Sequence, residues 1–93
     1  MNAYPIAKFR LGKIVSTPNA LSQLTQGDIL MGIQRHQAGD WGDADQHDRE
    51  ANDLALIERT RLWSVYHTTR GVKFQVITEA DRSVTTLMLP EDY

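Results

Sequence analysis

The chain has no cysteine, which excludes a disulfide framework, a thiol nucleophile and a thiolate metal site. Bulky aromatics are scarce, with two phenylalanines, two tryptophans and three tyrosines in 93 residues, so the core must lean on Leu, Ile and Val. No apolar run approaches the ~20 residues that span a bilayer. The segment Met1–Arg10 lacks the continuous apolar stretch of a signal peptide. A formal net charge of −2 gives no whole-protein attraction to nucleic acid or anionic lipid. These absences lead to the expectation of a cytoplasmic protein without membrane association or direct nucleic-acid binding. Also missing are a G-x-S-x-G nucleophile turn, a glycine-rich phosphate loop, a basic-aromatic strip and any histidine pair at helical i, i+4 spacing. No cofactor and no resident metal are expected.

The length suits one domain over residues 1–93, burying roughly 60–65% of its unfolded surface. Residues 1–8 carry no periodicity and read as a mobile tail or an edge extension. Phe9 to Val15 reads as a short strand that joins the sheet at an edge or beside the final strand, although Gly12 weakens it. Thr17-Pro18 signals a helix start, predicting a short helix to Leu24 that buries Leu21 and Leu24. Asp28 can cap a second helix to about Gln37, with Ile29, Leu30 and Ile33 at core spacing and His36 on the same side. Asp43 or Asp45 caps a third helix from Gln46 to Glu58, with Ala51, Leu54 and Ala55 as its apolar face and Leu56 or Ile57 extending it. The period then changes to two. Strands at 62–68, 72–78 and 83–89 are separated by the turns Thr69-Arg70-Gly71 and Glu79-Ala80-Asp81-Arg82 and stopped by Pro90. The order β-α-α-α-β-β-β, with a C-terminal antiparallel three-stranded meander covered on one face by helices, defines an α+β fold.

The stretch Arg35 to Asp48 has no ordinary core pattern: it holds Gly39 and Gly42, Trp41, His36 and His47, and four aspartates. Gly39 suits a left-handed helix end, and Trp41 reads as the plug between two helices. Charge is segregated along the chain. Asp40, Asp43, Asp45, Asp48, Glu50 and Asp53 face Arg49 alone, whereas the segment holding Arg59, Arg61, Arg70 and Lys73 contains no acid. The acids form a candidate binding surface for a basic partner. Asp40, Asp43, Asp45, His47 and Asp48 carry metal-ligating atoms, but a calcium loop begun at Asp43 would place Leu54 where a bidentate glutamate is needed, so an acidic helix-capping turn is the reading adopted. His36 is expected to close the second helix as a cation, His47 to be exposed and neutral, and His67 to be a cross-strand partner. Around the last turn, Asp81 should bond the turn backbone and Arg82 should pair with Glu79 or Asp81. An alternative site gathers His36, Trp41, Glu79, Asp81 and Arg82.

Three runs together carry a resemblance: Gly39-Asp40-Trp41-Gly42, Asn52-Asp53-Leu54-Ala55-Leu56, and the C-terminal Ile77-Thr78-Glu79-Ala80-Asp81-Arg82-Ser83-Val84-Thr85-Thr86 with Leu89-Pro90-Glu91-Asp92-Tyr93. They resemble a family of small bacterial proteins labelled plasmid-related and of unknown function, and sometimes labelled type I restriction methylase subunits. The resemblance covers roughly residues 9–93 and implies a mobile-element setting without assigned catalytic or binding residues. A 93-residue chain is too short to hold a methyltransferase domain. The element order is also similar to that of RelE/ParE toxins, but those are basic and this chain is mildly acidic.

Two expectations follow. One is a non-enzymatic protein-interaction module that binds another protein through the acidic 40–53 surface and inhibits a host defence or nucleic-acid-handling factor, with a homodimer open to it through unpaired sheet edges. The other is a small enzyme or RelE/ParE-like toxin with its site between the Trp41 loop and the Glu79–Arg82 turn.

Overall fold

Helical and two-residue hydrophobic periods divide the chain near Thr60, and the computed structural model, which describes residues 7–93, has its elements on either side of that division. They are β1 (Lys13–Ser16), α1 (Pro18–Gln23), α2 (Gln26–Gln37), α3 (Gln46–Glu58), β2 (Leu62–His67), β3 (Lys73–Thr78), β4 (Val84–Met88) and a closing 3-10 turn, Pro90–Asp92. The fold is α+β, as the element order implies. The expected tail falls on residues 1–6, outside the described residues, and on Ala7 and Lys8, of which Lys8 donates its backbone N–H to the Gln37 carbonyl at 2.8 Å.

The sheet order is β1-β4-β3-β2. The meander β2-β3-β4 is antiparallel, with Leu62 opposite Thr78 and Val76 opposite Leu87. β1 lies beside the final strand and parallel to it, with Lys13 opposite Val84. It starts later than the pattern implied. Gly12 has φ +64, and a Cβ there would run into the Ser83 carbonyl, so only glycine lets the chain turn in beside the last hairpin. Phe9 is left outside the strand and packs among the helices instead.

Alternation puts Leu62, Ser64, Tyr66, Phe74, Val76, Thr78, Thr85 and Leu87 on one face, and all eight are buried. The helices cover that face in two clusters. Ala20 and Leu24 of the α1 region pack on Tyr66, Phe74, Val76 and Leu87, while Trp41, Ala44, Ala55 and Leu62 form the second. On the opposite face the Tyr93 ring lies 4.7 Å from that of Trp63, and Arg61 donates to both the Tyr93 hydroxyl and the Glu79 carboxylate.

Three helix expectations are corrected. α2 is capped by Thr25, not Asp28. The Thr25 hydroxyl accepts from the Asp28 N–H at 3.0 Å and the Asp28 carboxylate accepts from the Thr25 N–H at 2.9 Å, a reciprocal box that satisfies two orphan donors. The buried sides of α1 and α2 also differ, because small residues sit where the helices touch the sheet. Ala20 and Gly32 are buried, whereas Leu21 and Leu30 are exposed; a Cβ on Gly32 would lie 2.7 Å from the Phe74 ring. On α3 the buried residues are Asn52 and Ala55. Ala51, Leu54 and Ile57 face solvent, because the Asn52 amide bonds both the N–H and the carbonyl of Trp63 and turns its own side of the helix towards β2.

Candidate functional site

Burial of a histidine between two packed layers requires that both ring nitrogens find partners. His36, fully buried near the end of α2, makes contact through Nδ1 with the Ser64 hydroxyl at 2.5 Å and through Nε2 with Thr78 at 2.9 Å. The Thr78 hydroxyl meets that of Thr85 at 2.7 Å, and Thr85 donates to the Leu11 carbonyl at 2.7 Å. That carbonyl can only accept, which fixes every proton upstream. Thr85 gives its hydrogen to Leu11 and therefore accepts from Thr78. Thr78 then accepts from the His36 Nε2–H, and Nδ1 accepts from Ser64. The chain of bonds runs one way and is complete.

Its completeness defines what it does. The imidazole is neutral, with its pKa pushed down to about 3 by burial and by the charge on Arg82. The expected cation at the end of α2 is thus corrected: tertiary desolvation outweighs the helix dipole. Ser64 and His36 have the residue types of a nucleophile and its base, but both are sealed from solvent, so this is a polar seam within the core.

The Trp41 loop closes the seam from one side. Trp41 is buried, its Nε1–H donates to the Asp53 carboxylate at 2.9 Å, and its ring lies 5.8 Å from His36 and 6.3 Å from Phe9. The next residue forms a one-residue bridge to Val65 on the open edge of β2. Gly42 has φ +68, and a Cβ would overlap the Val65 carbonyl and stand 2.6 Å from the Tyr66 ring, a conformation and a fit reserved to glycine. Tyr66, its own pKa raised by burial, donates to the Asp40 carbonyl at 2.6 Å.

Most of the six acids proposed as one surface have local tasks. Asp40 takes a two-pronged bond from Arg35, at 2.7 and 3.2 Å, which holds its carboxyl below the usual carboxylate range. Asp43 bonds His67 at 2.7 Å, so His67, which stands opposite Lys73 across the sheet as expected, turns its imidazole to the Trp41 loop. Asp45 caps α3 through the Asp48 N–H, Asp53 holds Trp41, and Glu50 accepts from Gln46. The ligand atoms of Asp45, His47 and Asp48 lie within 4.8 Å of one another, all exposed. The basic segment does not neutralise these acids. Arg61 goes to Glu79 and Arg70 to Asp28, which leaves His67–Asp43 as the acid–base side-chain contact between the two among the described residues.

The turn after β3 separates the alternative set. Asp81 bonds the Ser83 N–H at 2.9 Å, as a turn aspartate should. Arg82 pairs with neither acid. Its guanidinium donates to the carbonyls of Thr60, Glu79 and Ala55 at 2.6, 3.1 and 3.0 Å, satisfying the end of α3. His36, Trp41 and Arg82 do meet, around the ring of Phe9, but Glu79 is turned away to Arg61. Beyond Phe9 the surface opens into a cleft of about 420 Å³ lined by Phe9, Arg10, Arg59, Asp81 and Arg82. The sequence marks Arg59 only as one base in a run and Arg10 not at all, because the cleft is assembled from three segments far apart in the chain.

No helix among the described residues is long and apolar enough to cross a membrane. No protein-family model, curated protein or solved structure matches this chain.

Proposed function

We propose that this chain is a non-enzymatic protein-interaction module of a bacterial mobile element, docking through the outward side of α3 onto a protein whose apolar groove has a basic rim. A single observation carries the reading: Leu54 and Ile57, one turn apart, are 54% and 79% exposed within a frame of Glu50, Asp53 and Glu58. Glu50, Leu54 and Ile57 fall on the side of α3 opposite Asn52 and Ala55, with Asp53 and Glu58 on its flanks. Two large apolar side chains held in water by a well-packed helix are the kind of anchor that a partner buries, and the acids around them steer it towards positive potential. Proteins that handle nucleic acid carry such potential, which favours an inhibitor of a host defence or nucleic-acid-handling factor.

The test uses exposed residues of α3, of which Glu50 bonds only the exposed Gln46 side chain one turn back among the described residues. Bait protein carrying Leu54→Ser with Ile57→Ser, and separately Glu50→Lys with Glu58→Lys, is compared with the parent for partner capture from bacterial lysate, with circular dichroism as the check on folding. Loss of the same captured protein with both variants supports the reading. Undiminished capture by folded variants overturns it.

A catalytic alternative, a small enzyme or RelE/ParE-like toxin, has in its favour the gathering of His36, Trp41 and Arg82 within 5.2, 6.3 and 5.7 Å of Phe9. It requires Phe9 to swing out and uncover His36. Growth arrest on expression that is relieved by Phe9→Trp would support it.

A further inference from the structure

We propose that the cleft between the Phe9–Arg10 segment, the end of α3 and the β3–β4 turn binds the phosphate group of a small phosphorylated molecule. Three arginines and one aspartate line it, a net excess of two positive charges facing one space. Among the described residues no carboxylate lies within ion-pair distance of Arg10, Arg59 or Arg82. Arg35, Arg61 and Arg70 are each neutralised by an ion pair, and the three arginines of the cleft are not. A phosphate monoester carries about −1.5 to −2 charges at neutral pH, and guanidinium forks match its oxygens two at a time.

The backbone supplies a second, independent observation. The described residues other than glycine with positive φ are Arg59 at +59 and Arg82 at +61, and both line this cleft. Glycine suits such positions without strain. Arg82 has a structural reason to remain, because its guanidinium holds three carbonyls, and those bonds still leave two of its five N–H donors without a protein acceptor. Arg59 stands at the negative end of α3, where any cation is mildly favoured, but its side chain is exposed and makes no hydrogen bond or ion pair among the described residues. A strained arginine with a free fork beside a second, buried guanidinium is what an anion site needs.

Asp81 is the group that opposes the ligand. It bonds the Ser83 N–H, a bond that asparagine can keep, so its charge can be removed without disturbing the turn.

The experiment titrates the full chain with inorganic phosphate, phenyl phosphate and an oligothymidylate lacking terminal phosphate, following backbone amide shifts by NMR. Inorganic phosphate and phenyl phosphate should perturb residues 9–10, 59–60 and 80–83 and compete with each other. Affinity should fall about fivefold in Arg10→Gln and again in Arg59→Gly, and rise about as much in Asp81→Asn. Arg59→Gly should at the same time leave the melting temperature unchanged or raise it. Absent or scattered shifts, or affinities indifferent to the three substitutions, overturn the proposal. Tighter binding of the oligothymidylate at the same residues overturns it in favour of a nucleic-acid site. The α3 variants Leu54→Ser and Glu50→Lys should bind phosphate normally, so this site and the docking surface stand or fall separately.

Discussion

His36 stays neutral over a range of pH in which the unfolded chain takes up a proton on the same ring. Its folded pKa of about 3 lies below the ordinary histidine value of ~6.5. Between those values the unfolded state binds more protons, so stability is full above about pH 6.5 and falls as the pH is lowered towards 3. The loss should be on the order of 1 kcal/mol for each pH unit. Asp28, Asp40, Asp81 and Asp92, all depressed by hydrogen bonds, add their own losses only below about pH 4. Urea midpoints at about pH 6.5, 5.5 and 4.5 therefore lie above the carboxylate losses. A His36→Gln protein, whatever its baseline stability, should lose the slope across that window, and a parent protein with a flat profile there would show the ring to be accessible to solvent. Arg82 is read by a different substitution. Lysine keeps both the charge and the left-handed backbone cost but cannot reach three carbonyls with a rigid fork. Arg82→Lys should therefore lose about 2–3 kcal/mol in urea unfolding, from hydrogen-bond geometry alone; a loss below about 0.5 kcal/mol would mean that water serves the end of α3 equally well.

At the scale of elements, local signals carried the strands and helix starts further than they carried the faces. Alternation in Leu62–His67 and Lys73–Thr78, with Gly71 between, is enough to place a hairpin, and Thr17-Pro18 and Asp45 open their helices through chemistry confined to a few residues. The buried side of α3 was not legible. Counting apolar residues favours Leu54, whereas the two bonds from Asn52 to Trp63 orient the helix, and a polar residue wins the buried place by hydrogen bonding to a strand edge. The His36 seam was equally hidden, because a histidine near a helix end becomes neutral only when residues 28 and 42 positions away enclose it. The Trp41 loop was half legible: glycines and a tryptophan mark a junction, but that Gly42 stitches the edge of β2 depends on tertiary contact. That stitch gives a prediction of its own. Gly42→Ala adds a Cβ into the Val65 carbonyl at positive φ, and should cost about 2 kcal/mol or more. Thr25→Ala, which removes only one half of a cap, should cost about 1 kcal/mol. Thermal unfolding of the two variants side by side checks the order, and equal stability of the Gly42→Ala and Thr25→Ala proteins would contradict the bridge.

For the whole molecule, the parallel edge strand is the least secure part of the sheet and the one on which the candidate cleft depends. β1 is four residues long, two of them exposed, and it pairs on one side only. Its partner β4 lies far away in sequence, with Leu11 and Thr85 joined across 74 positions, so its pairing closes a long loop for a short ladder. By contrast β3 is flanked on both sides and contains Phe74, Val76, Ile77 and Thr78, all fully buried. Local opening should therefore begin at β1, taking with it the Leu11 carbonyl that terminates the His36 seam and the Phe9–Arg10 wall of the cleft. Native-state hydrogen exchange measures this directly. The amides of Phe74 and Val76 should exchange only through global unfolding, and those of Val15 and Thr17 with a free energy several kcal/mol lower. Phosphate at saturation should close the gap by protecting Val15 and Thr17, because a ligand bound only to the closed form stabilises that form by mass action. Protection of β1 equal to that of β3 without ligand would mean that the parallel strand folds as part of the core, and the cleft would then be a rigid feature of the molecule.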